Sequence, residues 1–244
     1  LDVPDRIVQE QADTSGDGKL DTRIAYRDGL KHEQFEDRNA DGEPDARYRF
    51  DPQGQIAFEA LDADADGRFE SEADFVAGQI QVRRVDSSGS GQPDRIEFYQ
   101  GGALDRVALD QDQDGRAESQ VFYDETGRLA RSEDDEDGDG RTDHWLTFDP
   151  ETGEVIRVES DRVGDGLPDT WRIADNQGIT QRVEEDRNAD QKADYWLHFE
   201  EGSPRRYEED RDFDGRMDAQ GELDAQGTTL WVELDSTGDG RFDL

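Results

Sequence analysis

The chain has no cysteine, which excludes disulfides, thiolate nucleophiles and zinc–thiolate sites. It has only 3 histidines, His32, His144 and His198, and none is spaced from another as a ligand pair or a Ser-His-Asp site requires. Hydrophobic residues make up 31% of its 244 residues, too little to offset the ordering entropy of the chain with one conventional core. No apolar run approaches the ~20 residues of a membrane-spanning helix, so no direct membrane insertion is expected. Basic residues are scarce, 28 Lys+Arg against 65 Asp+Glu, and the net charge is −37. No basic patch survives in such a field, so nucleic acid is excluded as a partner. The glycines stand among aspartates that would repel a phosphate. Carboxylates held ionised as ligands are poor general acids, and no enzyme is expected. Composition alone reads as disorder, so something else must supply the order.

What is present is a repeat. The pattern D-x-x-x-D-G-x-x-D/E recurs ten times, starting at Asp13, Asp37, Asp62, Asp86, Asp110, Asp135, Asp161, Asp186, Asp210 and Asp235, with spacings of 24 to 26 residues. This argues for one array over residues 1–244, without separate domains or linkers. Oxygen-bearing residues stand at positions 1, 3, 5 and 9 of nine of the ten loops, with Gly at 6 for a sharp turn in all but the copy from Asp186, which has Gln191 there. Four copies carry four carboxylates: Asp62, Asp64, Asp66, Glu70; Asp110, Asp112, Asp114, Glu118; Asp135, Asp137, Asp139, Asp143; and Asp210, Asp212, Asp214, Asp218. Other copies put a neutral oxygen at position 3: Asp13, Ser15, Asp17, Asp21; Asp37, Asn39, Asp41, Asp45; Asp186, Asn188, Asp190, Asp194; and Asp235, Thr237, Asp239, Asp243. The copy Asp161, Asp165, Asp169 has no side-chain oxygen at position 3, and the copy Asp86, Ser88, Asp94 has two carboxylates, which marks it as weak or empty. Together the loops use 33 of the 65 acids. Such loops suit a hard cation. Ca²⁺ accepts six to eight oxygens in irregular geometry, and Mg²⁺ demands an octahedron. Up to about ten Ca²⁺ are expected; ten would bring the charge from −37 to −17. Metal binding is then part of folding.

The loops are not EF-hands. Position 12, where an EF-hand needs a bidentate Glu, holds Glu only at Glu97. After each loop come short segments rich in β-branched and aromatic residues, such as Arg23-Ile-Ala-Tyr26 and Trp145-Leu-Thr-Phe148, then a Gly-containing turn, then a second such segment. Each unit therefore reads as loop, strand, turn, strand. The predicted fold is all-β, an elongated array or solenoid of about ten hairpins. A five-bladed propeller, two hairpins per blade, is the alternative. Gly also stands at position 4 in the copies at 13, 86, 161 and 235, three units apart, a spacing that fits a superhelical turn or a duplication history.

The D-x-D-x-D-G-x-x-D loop between strands resembles the calcium loops of FG-GAP and VCBS repeats and is similar to thrombospondin type 3 loops. The segment Phe122-Tyr-Asp-Glu-Thr-Gly-Arg-Leu129 resembles the YD/RHS repeat of bacterial surface proteins. These resemblances span residues 13–243 and imply a bacterial, calcium-binding protein that is extracellular, on the cell surface or periplasmic. The absence of an initiator Met and of a charged-then-apolar leader reads as a processed or excised chain. Asp5 after Val3-Pro4 reads as the end of a preceding loop, so both ends look cut from a longer array.

Within the strands, positions 12 and 14 share a face. Position 14 is apolar or aromatic in all nine complete units, from Tyr26 to Leu223, and predicts a buried ladder. Position 11 lies on the opposite face, which Arg23, Arg47 and Glu72 mark as wet, yet holds Trp145, Trp171 and Trp196 in succession. They fit a second packing layer or a self-association contact, or an aromatic platform for a glycan or a surface protein. Three functions follow as expectations: a calcium-stiffened stalk, spacer or adhesion surface; a recognition module using the Trp stripe; and a calcium or lanthanide buffer or sensor.

Overall fold

A computed structural model describes residues 8–243. The Asp5 reading lies outside the described residues. The chain divides into two compact units, one up to Ala117 and one from Glu118. Among the described residues every regular element is a strand. The first unit holds β1 (Val8–Ala12), β2 (Thr22–Arg27), β3 (Leu30–Glu36), β4 (Ala46–Phe50), β5 (Ile56–Leu61), β6 (Ser71–Val76), β7 (Gln79–Val85), β8 (Arg95–Gln100) and β9 (Ala103–Leu109). The second holds β10 (Ser119–Tyr123), β11 (Leu129–Asp134), β12 (His144–Phe148), β13 (Val155–Ser160), β14 (Thr170–Ala174), β15 (Thr180–Glu185), β16 (Tyr195–Glu200), β17 (Ser203–Glu209), β18 (Ala219–Leu223) and β19 (Thr229–Leu234).

In each unit every strand pairs antiparallel with its sequence neighbours, so each sheet is a meander of hairpins joined by the Asp loops. Among the described residues no pairing joins β1 to β9 or β10 to β19, so neither sheet closes. The hairpin array is therefore the fold. The propeller alternative is not realised: within each unit the ladder runs past four strands without the break that separates blades.

The hairpins share one construction. The pairing register shifts between positions 13 and 14 in all nine, for example between Ala25 and Tyr26 and between Thr147 and Phe148. Each shift is a β-bulge, which adds local twist. Four hairpins turn through two residues with φ > 0, as at Asp28-Gly29 (φ 52 and 79), the type I′ geometry that matches strand twist. Others begin on an aspartate whose carboxylate accepts amides ahead of it, as Asp124 does from Thr126 and Arg128 at 2.8 and 2.9 Å.

The core is thin. The buried apolar residues are mostly alanines (Ala46, Ala60, Ala73, Ala108, Ala174 and Ala219), with Phe58, Val107 and Leu223. The predicted buried ladder at position 14 is corrected: Ala174 and Leu223 are buried, but Tyr26, Phe50, Phe75, Tyr99, Tyr123, Phe148 and Phe199 are half-buried. Each unit contributes a single layer, so no second sheet within it covers these rings. The low apolar content is satisfied by hydrogen-bonded ladders and loops in place of a packed interior.

The glycines at position 4 also receive a local explanation. All ten position-4 residues have positive φ, including Ala40, Ala65, Gln113, Ala189 and Phe213, and Gly138 adds a fifth glycine outside the three-unit spacing. The backbone conformation, not a long-range period, favours Gly there.

Candidate metal centres

Each loop begins where a strand ends, and the backbone splices successive loops together. The Asp37 amide donates to the Asp21 carbonyl at 2.8 Å, and the same bond joins Asp161 to Asp143 and Asp210 to Asp194. Within a loop the position-1 carboxylate gathers the amides of positions 4 and 6. Asp62 accepts from Ala65 at 2.7 Å and Gly67 at 2.9 Å; Asp135 accepts from Gly138 and Gly140, both at 2.8 Å. The position-9 carboxylate accepts the amide of position 2, as Asp21 does from Thr14 at 2.8 Å and Glu70 from Ala63 at 2.7 Å. The left-handed residues at 4 and 6 aim these amides inward.

Those bonds preset the carboxylates as anions. The Thr14 hydroxyl and amide hold the Asp21 carboxyl far below the usual carboxylate range. At Asp161 burial pushes the other way, but the amides of Gly166 and Gly164 outweigh it and the carboxyl is lowered. Asp45, Asp169 and Asp194, all at position 9, are buried.

Four groups of carboxylates converge, each with one oxygen per residue within 4.8 Å of the others: Asp62, Asp64, Asp66 and Glu70; Asp135, Asp137 and Asp143; Asp210, Asp212 and Asp218; and a group that brings together Asp110, Asp112 and Asp114. They fall in the four copies with four carboxylates. A cation bound at about 2.3–2.6 Å needs its oxygens within about 5 Å of one another, and these groups meet that demand. Asp139 and Asp214 stand outside their groups and accept the amides of Arg141 and Arg216 at 2.8 and 2.9 Å.

A second observation tests the fit. Asp37 Oδ1 and Asp110 Oδ1, both at position 1, are buried with no hydrogen-bond donor. A buried carboxylate oxygen without a partner is costly, and a cation in the loop would satisfy it.

The remaining loops keep the same backbone wiring and differ mainly in the residue at position 3. Ser15 and Thr237 donate to the position-1 carboxylates Asp13 and Asp235 at 3.3 Å, and Ser88 donates to Asp86 at 3.0 Å. The Asn39 and Asn188 carbonyls accept the Asp41 and Asp190 amides at 2.8 and 2.9 Å. Asp17, Asp165 and Asp239 each accept the amide two residues on. Ser87 holds Asp94, and Ser236 holds Asp243, through amide and hydroxyl. In the loop from Asp161, Val163 is exposed and the Arg162 guanidinium lies 3.3 Å from Asp169. There a protein cation pairs with a carboxylate that a bound metal ion would otherwise neutralise.

Two features escaped the sequence reading. Basic residues at position 7 clasp the next loop at its position-4 carbonyl: Lys19 to Ala40 at 2.6 Å, Arg68 to Gly89 at 3.1 Å and Arg141 to Gly164 at 2.6 Å. Their signal was available, since seven of the ten position-7 residues are Lys or Arg. The second is the partnering of the Trp stripe. Trp145 pairs with Glu133 and Glu159, Trp171 with Glu159 and Glu184, and Trp196 with Glu184 and Glu208. All three indoles therefore lie in one row across the second unit's sheet, alternating with glutamates, and all are half-buried.

No family model matches the chain, and no curated protein matches it. Among solved structures it is similar to accessory secretory protein 1, 2 and 3 of Streptococcus pneumoniae, at 22% identity and a TM-score of 0.31 over 41% of this chain. It is similar to TarM at 8% identity and a TM-score of 0.25 over 43% of this chain. It spans only 18% of each of those two chains. A porin-like protein from Bacteroides uniformis aligns over 99% of this chain and 94% of its own, at 8% identity and a TM-score of 0.20. With every score this low, the reading of function rests on the residues themselves.

Proposed function

We propose that the protein is a calcium-binding structural repeat protein, stiffened by several Ca²⁺ ions and acting outside the cell as a stalk, spacer or adhesion surface. The observation that carries this reading is the convergence of carboxylates in the four acid-rich loops, together with the donorless buried oxygens of Asp37 and Asp110. Oxygen-only donor sets without His or Cys favour a hard cation. Between the hard cations, flexible loops with irregular donors favour Ca²⁺ over Mg²⁺. Bound ions would lower a net charge of −37 and fix loops that the backbone already ties to one another. Millimolar calcium of an extracellular space would fill such loops even at modest affinity. The array then becomes stiff because each hairpin is anchored to an ion at its base.

The test is a calcium titration of EDTA-stripped protein by calorimetry and circular dichroism, with Mg²⁺ as the control. Several ions per chain and a gain of β-structure at micromolar to millimolar Ca²⁺ are expected. No heat on adding Ca²⁺, with a fold indifferent to EDTA, would overturn the reading. A nanomolar affinity with a large conformational response would favour a buffer or sensor instead.

A further inference from the structure

Clefts recur between consecutive loops. One of about 190 Å³ is lined by Leu20, Asp21 and Arg23 on one side and Asp37, Gly42 and Pro44 on the other. A second, of about 160 Å³, uses the equivalent Phe69, Glu70, Glu72, Asp86, Gly91 and Pro93. In both, the position-11 residue lines the cleft and positions 8 and 9 of one loop face positions 1, 6 and 8 of the next. The third case differs in size: about 530 Å³, between the loops from Asp186 and Asp210, with Trp196 at position 11 beside Glu184, Lys192, Phe213 and Met217. Small-molecule sites run to about 300–1,000 Å³, and of these three clefts the last reaches that range. Trp145 and Trp171 hold the same position in the two preceding units, each two strands from the next, about 9–10 Å along the row.

We propose that this row, ending in the Trp196 cleft, binds a neutral linear glycan, with the indoles of Trp145, Trp171 and Trp196 as stacking platforms for successive sugars. The polar groups between the indoles fit hydroxyl donors. Glu133, Glu159, Glu184 and Glu208 are each paired with the arginine two residues before them, Arg131, Arg157, Arg182 and Arg206. These pairs hold the carboxylates in place as hydrogen-bond acceptors. Along the row they match four acids with four bases, on a chain of net charge −37, while Asp190, Asp194, Asp210 and Asp214 make the Trp196 cleft itself acidic. An anionic glycan would be repelled by the rest of the surface. A basic peptide would find these glutamates already paired. A protein hot spot would call for a contiguous apolar patch, and here each indole is flanked by charged residues. A flat apolar face beside fixed acceptors is the chemistry of a sugar ring, which presents C–H groups on one face and hydroxyls at its rim.

The experiment is a titration of calcium-supplemented protein, followed by tryptophan emission and calorimetry. The probes are cellohexaose, maltohexaose, chitohexaose and mannohexaose, with heparin and a poly-lysine peptide as charged controls. Saturable emission change with at least one neutral hexaose is expected. Trp196→Ala should weaken it at least roughly tenfold, about 1.4 kcal/mol, and the triple Trp→Ala variant should abolish it. Trp231→Ala, outside this row, should leave it unchanged. Circular dichroism and calcium heat serve as the folding check. If the triple variant fails that check, the three single variants replace it. Failure of all four neutral hexaoses, binding of poly-lysine or heparin alone, or undiminished binding by well-folded Trp variants would overturn the proposal. The Trp row does not depend on the calcium reading, because it is defined by strand register, while the cleft at its end shares Asp190, Asp194, Asp210 and Asp214 with two candidate metal loops.

Discussion

Arg141 reaches from one Asp loop to the next and donates to the Gly164 carbonyl at 2.6 Å. The aliphatic stem of the same side chain lies against Gly166, where an added Cβ would stand 3.4 Å from the arginine Cδ. Arg141 thus couples the loop from Asp135, which is rich in carboxylates, to the loop from Asp161, which lacks an oxygen at position 3. Replacing Arg141 by Met keeps the stem and removes the clasp. Arg141 is exposed, so the stability cost should stay within about 1 kcal/mol. The number of bound ions should not change, while the cooperativity of the calcium titration falls. An unchanged titration slope would show that the loops fill independently of this clasp.

Position 3 separates the four loops with four carboxylates from the other six. Asp64→Asn keeps the shape of the side chain and removes one charge from the group with Asp62, Asp66 and Glu70. It should weaken that loop by roughly tenfold or more, because affinity in oxygen loops follows ligand charge. The reverse change, Ser88→Asp, replaces a hydroxyl that donates to Asp86 with a third carboxylate. It should raise the ion count by one. Calorimetric stoichiometry under matched ionic strength reads both.

Backbone strain at position 4 offers a separate test. Ala65 has φ 63 and Gly138 has φ 75. An added Cβ at Gly138 would meet no heavy atom within 4 Å, so the cost of Gly138→Ala is conformational alone. It should destabilise by about 1 kcal/mol, and Ala65→Gly should stabilise by a similar or smaller amount. Thermal melts of the two variants at one fixed calcium concentration should shift in opposite directions.

The loops and strands were legible in the sequence because their signals are local. Asp37 and Gly42 mark a turn wherever they stand, and Tyr48 with Phe50 mark a strand face. The alternation of Trp171 with Glu159 and Glu184 was not legible, because it depends on register. Register follows from turn length and from the bulge between Ile173 and Ala174, neither of which periodicity reveals. The half-buried state of Phe148 was missed for a different reason. Patterning predicts which face is apolar, and says nothing about whether a second layer exists to cover it. The clasp from Lys19 to Ala40 joins residues 21 apart, and only the one-loop-per-two-strands geometry brings them together.

Acid should undo the loops, and the sign follows from the direction of the shifts. The Thr14 hydroxyl and amide lower Asp21, the Thr126 hydroxyl and the Arg128 amide lower Asp124, and the Thr152 and Glu151 amides lower Asp149. A lowered folded pKa contributes stability that is present above the unfolded value, about 3.9, and lost as pH falls towards the folded value. Whatever β-signal the metal-free protein has at neutrality should therefore persist down to about pH 4 and fall below it. Thr14→Val removes the hydroxyl donor to Asp21 and should move the acid midpoint upward. A midpoint indifferent to Thr14→Val would remove this bond from the account.

Salt separates the two roles of a divalent ion, charge neutralisation and site-specific coordination. At a net charge of −37 the metal-free chain repels itself, and 33 of its 65 acids sit at the ligand positions of the loops. Monovalent salt at 0.1 M cuts the range of that repulsion to about 10 Å, which relieves repulsion between loops but not within one. Carboxylates that converge within 4.8 Å lie well inside that range. Potassium chloride added to EDTA-treated protein should therefore recover only part of the β-signal and reduce the hydrodynamic radius only in part. Calcium should recover the rest at a concentration far too low to act by screening. If potassium chloride alone restores the full signal, repulsion is the whole effect and coordination by Asp62, Asp64, Asp66 and Glu70 contributes nothing to the fold.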